Sequence, residues 1–365
     1  MKVLIGGGGT GGHVFPAIAI AQAIKKLAPN TEILFVGAKD KLEMEKVPAA
    51  GFEIVGLPAA GFQRKLSFKN ITFFFKLAAC MLKSRKIVRD FKPDVAVGVG
   101  GYASGPILRA AAKKNVPVVL QEQNSHAGVT NKILAKKAVK IFTSYHGMEK
   151  YFDAEKIEFA GNPVRSDIVE CVASKQEARE QLGLDKDKKT ILVIGGSLGA
   201  ATINKSVKKH LDEFKNSEIQ LLWQTGKIYY DEIATFLNAG DFPLVKAMAF
   251  VKRMDFAYRA ADVVVSRSGA LSVSELCLAA KPVVFIPSPN VAEDHQTKNA
   301  MALVNENAAM IIKDNEAEDK LFEIVGQLCN DENAQERLSC NIAKLAVKDS
   351  ASIIATRILE IGEKK

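Results

Sequence analysis

The residues best suited to chemistry stand just beyond short apolar runs. His13 closes the loop Gly6-Gly7-Gly8-Gly9-Thr10-Gly11-Gly12. Glycines let a ligand approach the backbone, and the N–H groups of a following helix's first turn favour an anion, so this loop suits a phosphate or diphosphate. An imidazole beside such a loop suits a general base; a histidine that only packs at a helix start leaves the same trace. The second set is Arg267-Ser268-Gly269-Ala270-Leu271-Ser272-Val273-Ser274-Glu275. Its small residues form another phosphate cradle, and Glu275 can accept two hydrogen bonds from a ribose diol. Ser272 and Glu275 also have the spacing of a helix capping box. Asp294 to Asn299 offers amides and a hydroxyl for sugar hydroxyls, although it also reads as a plain loop. Asp185-x-Asp187 resembles a metal-holding carboxylate pair but sits among alternating charges, as a solvated linker does, and no catalytic metal is expected.

The elements that position these residues follow from periodicity. Val3-Leu4-Ile5 is a strand, and Pro16, Ala17, Ile18, Ile20, Ala21 and Ile24 recur at helical spacing. The same unit begins again with strand Ile191 to Ile194, loop Gly195 to Gly199 and a helix from Ala200. Strands are predicted at 32–36, 52–57, 94–99, 116–121 and 140–143, then at 219–224, 245–250, 263–266 and 283–286, with helices between and an amphipathic helix at 351–361. Strand 94–99 opens into Gly100-Gly101-Tyr102-Ala103-Ser104-Gly105-Pro106, a third anion-binding turn. Gln121-Glu122-Gln123-Asn124 stands at a strand's carboxyl end, where open α/β sheets bind ligands. The fold class is therefore α/β, with two Rossmann-like parallel-sheet domains facing across a cleft. Gly6-x-Gly8-x-x-Gly11 fits the dinucleotide fingerprint, but strand 32–36 ends Val36-Gly37 without the acid that holds a cofactor ribose. No cofactor is expected.

The chain has 365 residues, enough for two domains, and is 48% hydrophobic. Its five cysteines are scattered, which fits reduced thiols in a cytoplasm. Its start lacks the pattern of a signal peptide, and no window has the roughly 20 apolar residues of a membrane span. Residues 1–162 carry 24 Lys and Arg against 12 Asp and Glu, the remainder 26 against 29. The first half should thus meet a polyanion: nucleic acid, an anionic membrane or an anionic substrate. The stretch 68–81, with Phe73, Phe74 and Phe75, is apolar nearly all round and rimmed by Arg64, Lys65, Lys69, Lys76, Lys83, Arg85 and Lys86. It reads as a buried core helix or as an interfacial helix on anionic lipid. Nucleic acid would need aromatics interleaved with the charges, and here they cluster.

Gly8 to His13, Gly98 to Pro106, Gln121 to Asn124, Gly161-Asn162-Pro163-Val164-Arg165, Gly195 to Ala200 and Arg267 to Glu275 together resemble the MurG family, the bacterial N-acetylglucosaminyltransferases of peptidoglycan synthesis. The resemblance runs from residue 6 to about residue 300. It implies a GT-B architecture: an acceptor- and membrane-binding domain at 1–162, a UDP-GlcNAc-binding domain at 163–341, and a C-terminal helix at 342–365 packing back on the first domain. It implies metal-free, inverting transfer of GlcNAc from UDP-GlcNAc to the 4-hydroxyl of undecaprenyl-diphosphate-linked MurNAc-pentapeptide, at the cytoplasmic face of the plasma membrane. It also implies a place in cell shape and division, with membrane proteins of cell-wall synthesis as partners and no nucleic acid.

Carried over to this chain, the resemblance makes His13 the base, with His126 as a competitor. It places the donor on Thr10, Gly11, Gly12, Asn124, Arg165, Ser197, Val251, Ala270, Leu271, Ser272, Val273, Ser274, Glu275 and Gln296. It places the acceptor diphosphate on Gly9, Gly100, Gly101, Tyr102 and Ser104, and the membrane on Phe73, Phe74, Phe75, Lys69 and Lys76. A related glycolipid synthase with a neutral acceptor would share the donor half but would need no second diphosphate cradle.

Overall fold

The computed structural model describes residues 1–58, 69–196, 198–215 and 218–364, with the backbone alone for 69–76, Ser166 and Ala292. The chain divides into two compact units, Met1–Arg165 with Asp349–Lys365, and Ser166–Lys348.

Unit 1 runs β1 (Lys2–Gly6), α1 (Gly11–Leu27), β2 (Glu32–Ala38), α2 (Glu43–Ala49), β3 (Glu53–Leu57), α3 (Lys69–Phe91), β4 (Val95–Gly98), α4 (Ser104–Ala112), β5 (Val118–Glu122), α5 (Val129–Leu134), β6 (Lys140–Thr143) and β7 (Ile157–Phe159). All seven strands are parallel, in the order β3-β2-β1-β4-β5-β6-β7. Both faces are covered, which is why the strands read as unbroken apolar runs. Leu4, Ala96, Leu120 and Ile141 pack with Cys80 of α3, Ile107 and Leu108 of α4 and Leu134 of α5. The alternate residues Val3, Ile5, Val97, Val119 and Phe142 pack on the opposite face with Ile20 and Ile24 of α1.

Unit 2 runs α6 (Ser166–Glu170), α7 (Lys175–Gln181), β8 (Lys189–Ile194), α8 (Ala201–Lys209), α9 (Leu211–Lys215), β9 (Ile219–Gln224), α10 (Tyr230–Ala239), β10 (Val245–Met248), α11 (Met254–Ala260), β11 (Val263–Ser266), α12 (Ala270–Ala279), β12 (Val283–Phe285), α13 (His295–Val304), β13 (Met310–Ile311), α14 (Ala317–Asn330) and α15 (Glu332–Lys344). Its strands are again parallel, in the order β10-β9-β8-β11-β12-β13. Leu192, Leu222 and Val264 meet Ala257 and Tyr258 of α11 and Leu276 of α12. Ile191, Leu221, Trp223 and Val265 meet Ile203 and Val207 of α8 and Leu321 and Val325 of α14.

The final helix, α16 (Ser350–Glu363), belongs to unit 1, where Ile354, Ala355 and Ile358 are buried against α1. Arg357 fastens it further through Glu158 of β7, which Lys140 also meets. The edge strands β7 and β13, three and two residues long, are not among the predicted strands.

Candidate active site

Strand order places the functional loops. In unit 1 it reverses between β1 and β4, so the loops that follow these neighbours leave the same carboxyl edge together. They interlock there. Gly101 has φ +86°, and a Cβ on it would lie 2.2 Å from the Gly8 carbonyl oxygen. Gly100 has φ +91°, and a Cβ on it would lie 2.8 Å from Cδ2 and Nε2 of His13. The half-buried imidazole therefore rests on the second glycine loop while its own helix grows from the first. Thr10 Oγ1 lies 3.2 Å from His13 Nδ1. With the ring proton on Nδ1, shared with Thr10, Nε2 carries the lone pair that a base requires.

Several groups hold this arrangement from behind. Ser104, expected at the acceptor diphosphate, is fully buried, and its hydroxyl faces the Gly6 and Gly100 carbonyl oxygens that accept from it. Glu43, only 1% exposed, accepts from Gly9 N–H at 2.9 Å with Oε2 and from Ala38 N–H at 2.8 Å with Oε1. It ties the first glycine loop to the end of β2. Its sequence context, Lys39 to Lys46, reads as a solvated helix start. The signal that it is buried lies in Gly37 and Gly8, where a Cβ would strike its side chain at 2.4 and 2.2 Å. Gly9 borders open space, and Tyr102 is 61% exposed.

A buried polar network organises the far side of the same edge. Glu122 accepts from Asn124 N–H (3.1 Å), Gly128 N–H (3.0 Å) and Asn131 Nδ2 (2.8 Å). Burial pushes its carboxyl above the usual range, while these hydrogen bonds pull it back. Asn162 donates to the Gln123 carbonyl and accepts from Gln121 and Ser144, which anchors the segment leading to the half-buried Arg165. His126 is engaged at both ring nitrogens: Tyr151 Oη lies 2.6 Å from Nδ1 and Lys132 Nζ 3.2 Å from Nε2. An ammonium only donates, so Nε2 of His126 directs its lone pair at Lys132.

In unit 2 the order reverses between β8 and β11. Ser197, in the loop after β8, lies outside the described residues, as do Arg64, Lys65 and the side chains of Lys69, Phe73, Phe74, Phe75 and Lys76. After β11 the N-cap is Gly269, so Ser272 stands inside the first turn of α12. The capping-box reading of Ser272 and Glu275 thereby falls; Ser174 and Glu177 form a capping box at α7 instead. Ala270 and Val273 are buried in the core, whereas Leu271, Ser272, Ser274 and Glu275 are half-buried. Ser274 Oγ donates back to the Ala270 carbonyl. Tyr258 Oη donates to Glu275 Oε2 at 2.9 Å. Val251 is fully buried, with its N–H on Gln224 Oε1, and Gln296 Oε1 accepts from Ser288 N–H. Arg267 serves the scaffold, donating to the Ile286 and Pro287 carbonyls and to Asp314. Asp187 N–H donates to Asp185 Oδ1 in a local turn. Among the described residues, no group of three or more His, Cys, Asp or Glu side chains could hold a metal ion.

Residues 3–143 match the glycosyltransferase family 28 N-terminal domain, and residues 190–354 match the glycosyltransferase family 28 C-terminal domain. The chain belongs to glycosyltransferase family 28. Within this family it is similar to the UDP-N-acetylglucosamine--N-acetylmuramyl-(pentapeptide) pyrophosphoryl-undecaprenol N-acetylglucosamine transferase of Parabacteroides distasonis, 54% identical over 100% of this chain and 99% of the relative. The transferase of the same name from Phocaeicola vulgatus is 53% identical over 100% and 97%. The crystal structure of Acinetobacter baumannii MurG superposes with a TM-score of 0.75 at 26% identity, covering 98% of this chain and 99% of that one.

The family 28 N-terminal match contains Thr10, His13, both interlocked glycine loops and residues Gln121 to Asn124. The family 28 C-terminal match contains Val251, all of α12 and Gln296. Arg165 falls between the two matches.

Proposed function

We propose that this family 28 glycosyltransferase moves GlcNAc from UDP-GlcNAc to the 4-hydroxyl of undecaprenyl-diphosphate-linked MurNAc-pentapeptide. The observation that carries the reading is the seat of His13, fixed on Gly100 between two glycine loops. Nε2 takes the proton of the acceptor hydroxyl as that oxygen attacks the anomeric carbon. The bond from that carbon to the diphosphate breaks, and the configuration inverts. The negative charge gathers on UDP, where the N-terminus of α12, Ser272, Ser197 and Arg165 receive it. Glu275 accepts from the ribose diol. Gly9, Gly100, Gly101 and Tyr102 hold the acceptor's diphosphate, with Ser104 bracing the loop from beneath.

The acceptor's lipid places the enzyme on the cytoplasmic face of the plasma membrane. Among the described residues no helix is long and apolar enough to cross a membrane. Support for a surface attachment comes from α5, where Val129 and Ile133 are 61% and 68% exposed beside Lys132, Lys136 and Lys137. Leu82 of α3 is exposed as well, and α4 packs between α3 and α5. Each basic residue near an anionic surface adds about 1 kcal/mol.

The test is UDP release from UDP-GlcNAc in EDTA, with and without the lipid-linked acceptor. Acceptor-dependent release that survives EDTA is the expected result. Release that needs a metal or ignores the acceptor rejects the reading.

A further inference from the structure

We propose that Tyr258 is a positioning residue that fixes the Glu275 carboxylate for the donor's ribose and so sets the preference for a ribose over a deoxyribose nucleotide. The inference rests on the assignment of the ribose to Glu275. Tyr258 lies on α11, is 2% exposed, and packs its ring among the apolar residues between the sheet and α11–α12. Its hydroxyl position is therefore set by the core rather than by solvent. Glu275 is half-buried in the second turn of α12, and the phenol meets its Oε2 at 2.9 Å.

The chemistry fits a pre-aimed acceptor. A phenol at neutral pH is a donor, and an ionised carboxylate has about four acceptor positions, of which the phenol takes one. A glutamate on a helix surface samples many rotamers and loses that freedom when a ligand orders it. A buried hydroxyl that orders it beforehand removes that loss from each binding event. The benefit reaches only a donor whose hydroxyls hydrogen-bond Glu275. A structural tie between α11 and α12 would act on every donor alike.

Tyr258→Phe keeps the ring and removes the hydroxyl. The measurement is kcat and KM for UDP-GlcNAc and for its 2′,3′-dideoxyribose analogue, which lacks both hydroxyls of the diol, with the acceptor saturating. The expected result is a KM for UDP-GlcNAc raised about 3- to 10-fold, the effect of having to order one rotamer-rich side chain on binding, with kcat within twofold. For the dideoxy donor the KM should shift less than twofold, so that the preference for ribose narrows. Equal changes for both donors, or no change for either, overturn the proposal. Glu275→Ala, run in parallel, separates the two layers. If it leaves the ribose preference intact, the assignment of the ribose to Glu275 is at fault. If it removes the preference while Tyr258→Phe does not, only the role of Tyr258 is rejected.

Discussion

His13 and Gly100 are in direct contact: the ring edge carrying Nε2 occupies the space that a side chain on Gly100 would need. Residue 100 also has a positive φ, which only glycine adopts without strain. Gly100→Ala should therefore displace the imidazole from its seat. The expected outcome is a kcat at least about tenfold lower with an unchanged KM for UDP-GlcNAc, a part of the 10²- to 10⁴-fold that general-base help supplies. His13→Ala should set the floor, and the double variant should fall no further. Additive losses in the double variant would show that Gly100 acts elsewhere.

Glu43 joins the first glycine loop to β2 through both carboxylate oxygens. Glu43→Ala leaves the N–H groups of Gly9 and Ala38 without that acceptor, and each such loss costs about 1–3 kcal/mol when the group stays buried. Chemical denaturation should show a loss of about 2 kcal/mol or more. In steady-state kinetics the acceptor KM should rise more than the donor KM. A lower stability with both KM values unmoved would confine Glu43 to the fold.

The repeated strand, glycine loop and helix are legible because a parallel strand buried on both faces is apolar throughout, and because the loop that ends it is local in sequence. Topology then brings loops ninety residues apart together at one edge, which spacing alone does not reveal. Glu43 and Tyr258 escape for this reason, since each works through a partner that only the fold supplies. β7 and β13 escape because three and two residues carry no period, and Glu158 sits in the middle of β7. Ser272 to Glu275 shows a different limit. The same four residue types read as a cap or as a helix interior, and only the start of α12 at Ala270 decides between them.

Lys281 gives unit 2 a titratable weakness. Its Nζ donates to the Ala261 carbonyl at 2.7 Å, and burial, followed by the charge of Lys175, pushes its pKa down from 10.5 to about 8. Between these values the unfolded chain holds a proton that the folded chain has released, so stability rises with pH. Below about 8 both states are protonated and this slope vanishes. Thermal melts should show the wild type gaining on Lys281→Met between pH 8 and 10.5 and running parallel to it below pH 8. A constant difference across the whole range would mean that Lys281 titrates normally.

Gly326 stands inside α14 beside an apolar cavity of about 50 Å³ that Val207, Phe214, Leu221 and Val325 help to line. A Cβ added to Gly326 would meet no atom within 4 Å. Replacing an interior helical glycine with alanine recovers about 1 kcal/mol of backbone entropy, and with no atom within 4 Å the added methyl meets no clash that would offset it. Gly326→Ala should therefore raise the stability of unit 2 by about 1 kcal/mol, read as a higher denaturant midpoint with an unchanged slope. Its kcat and KM should stay within twofold of the wild type, because α14 contributes none of the proposed donor contacts. A lower midpoint would mean that the cavity wall closes on the added methyl, and that the open space beside Gly326 is needed for α8 and α14 to pack.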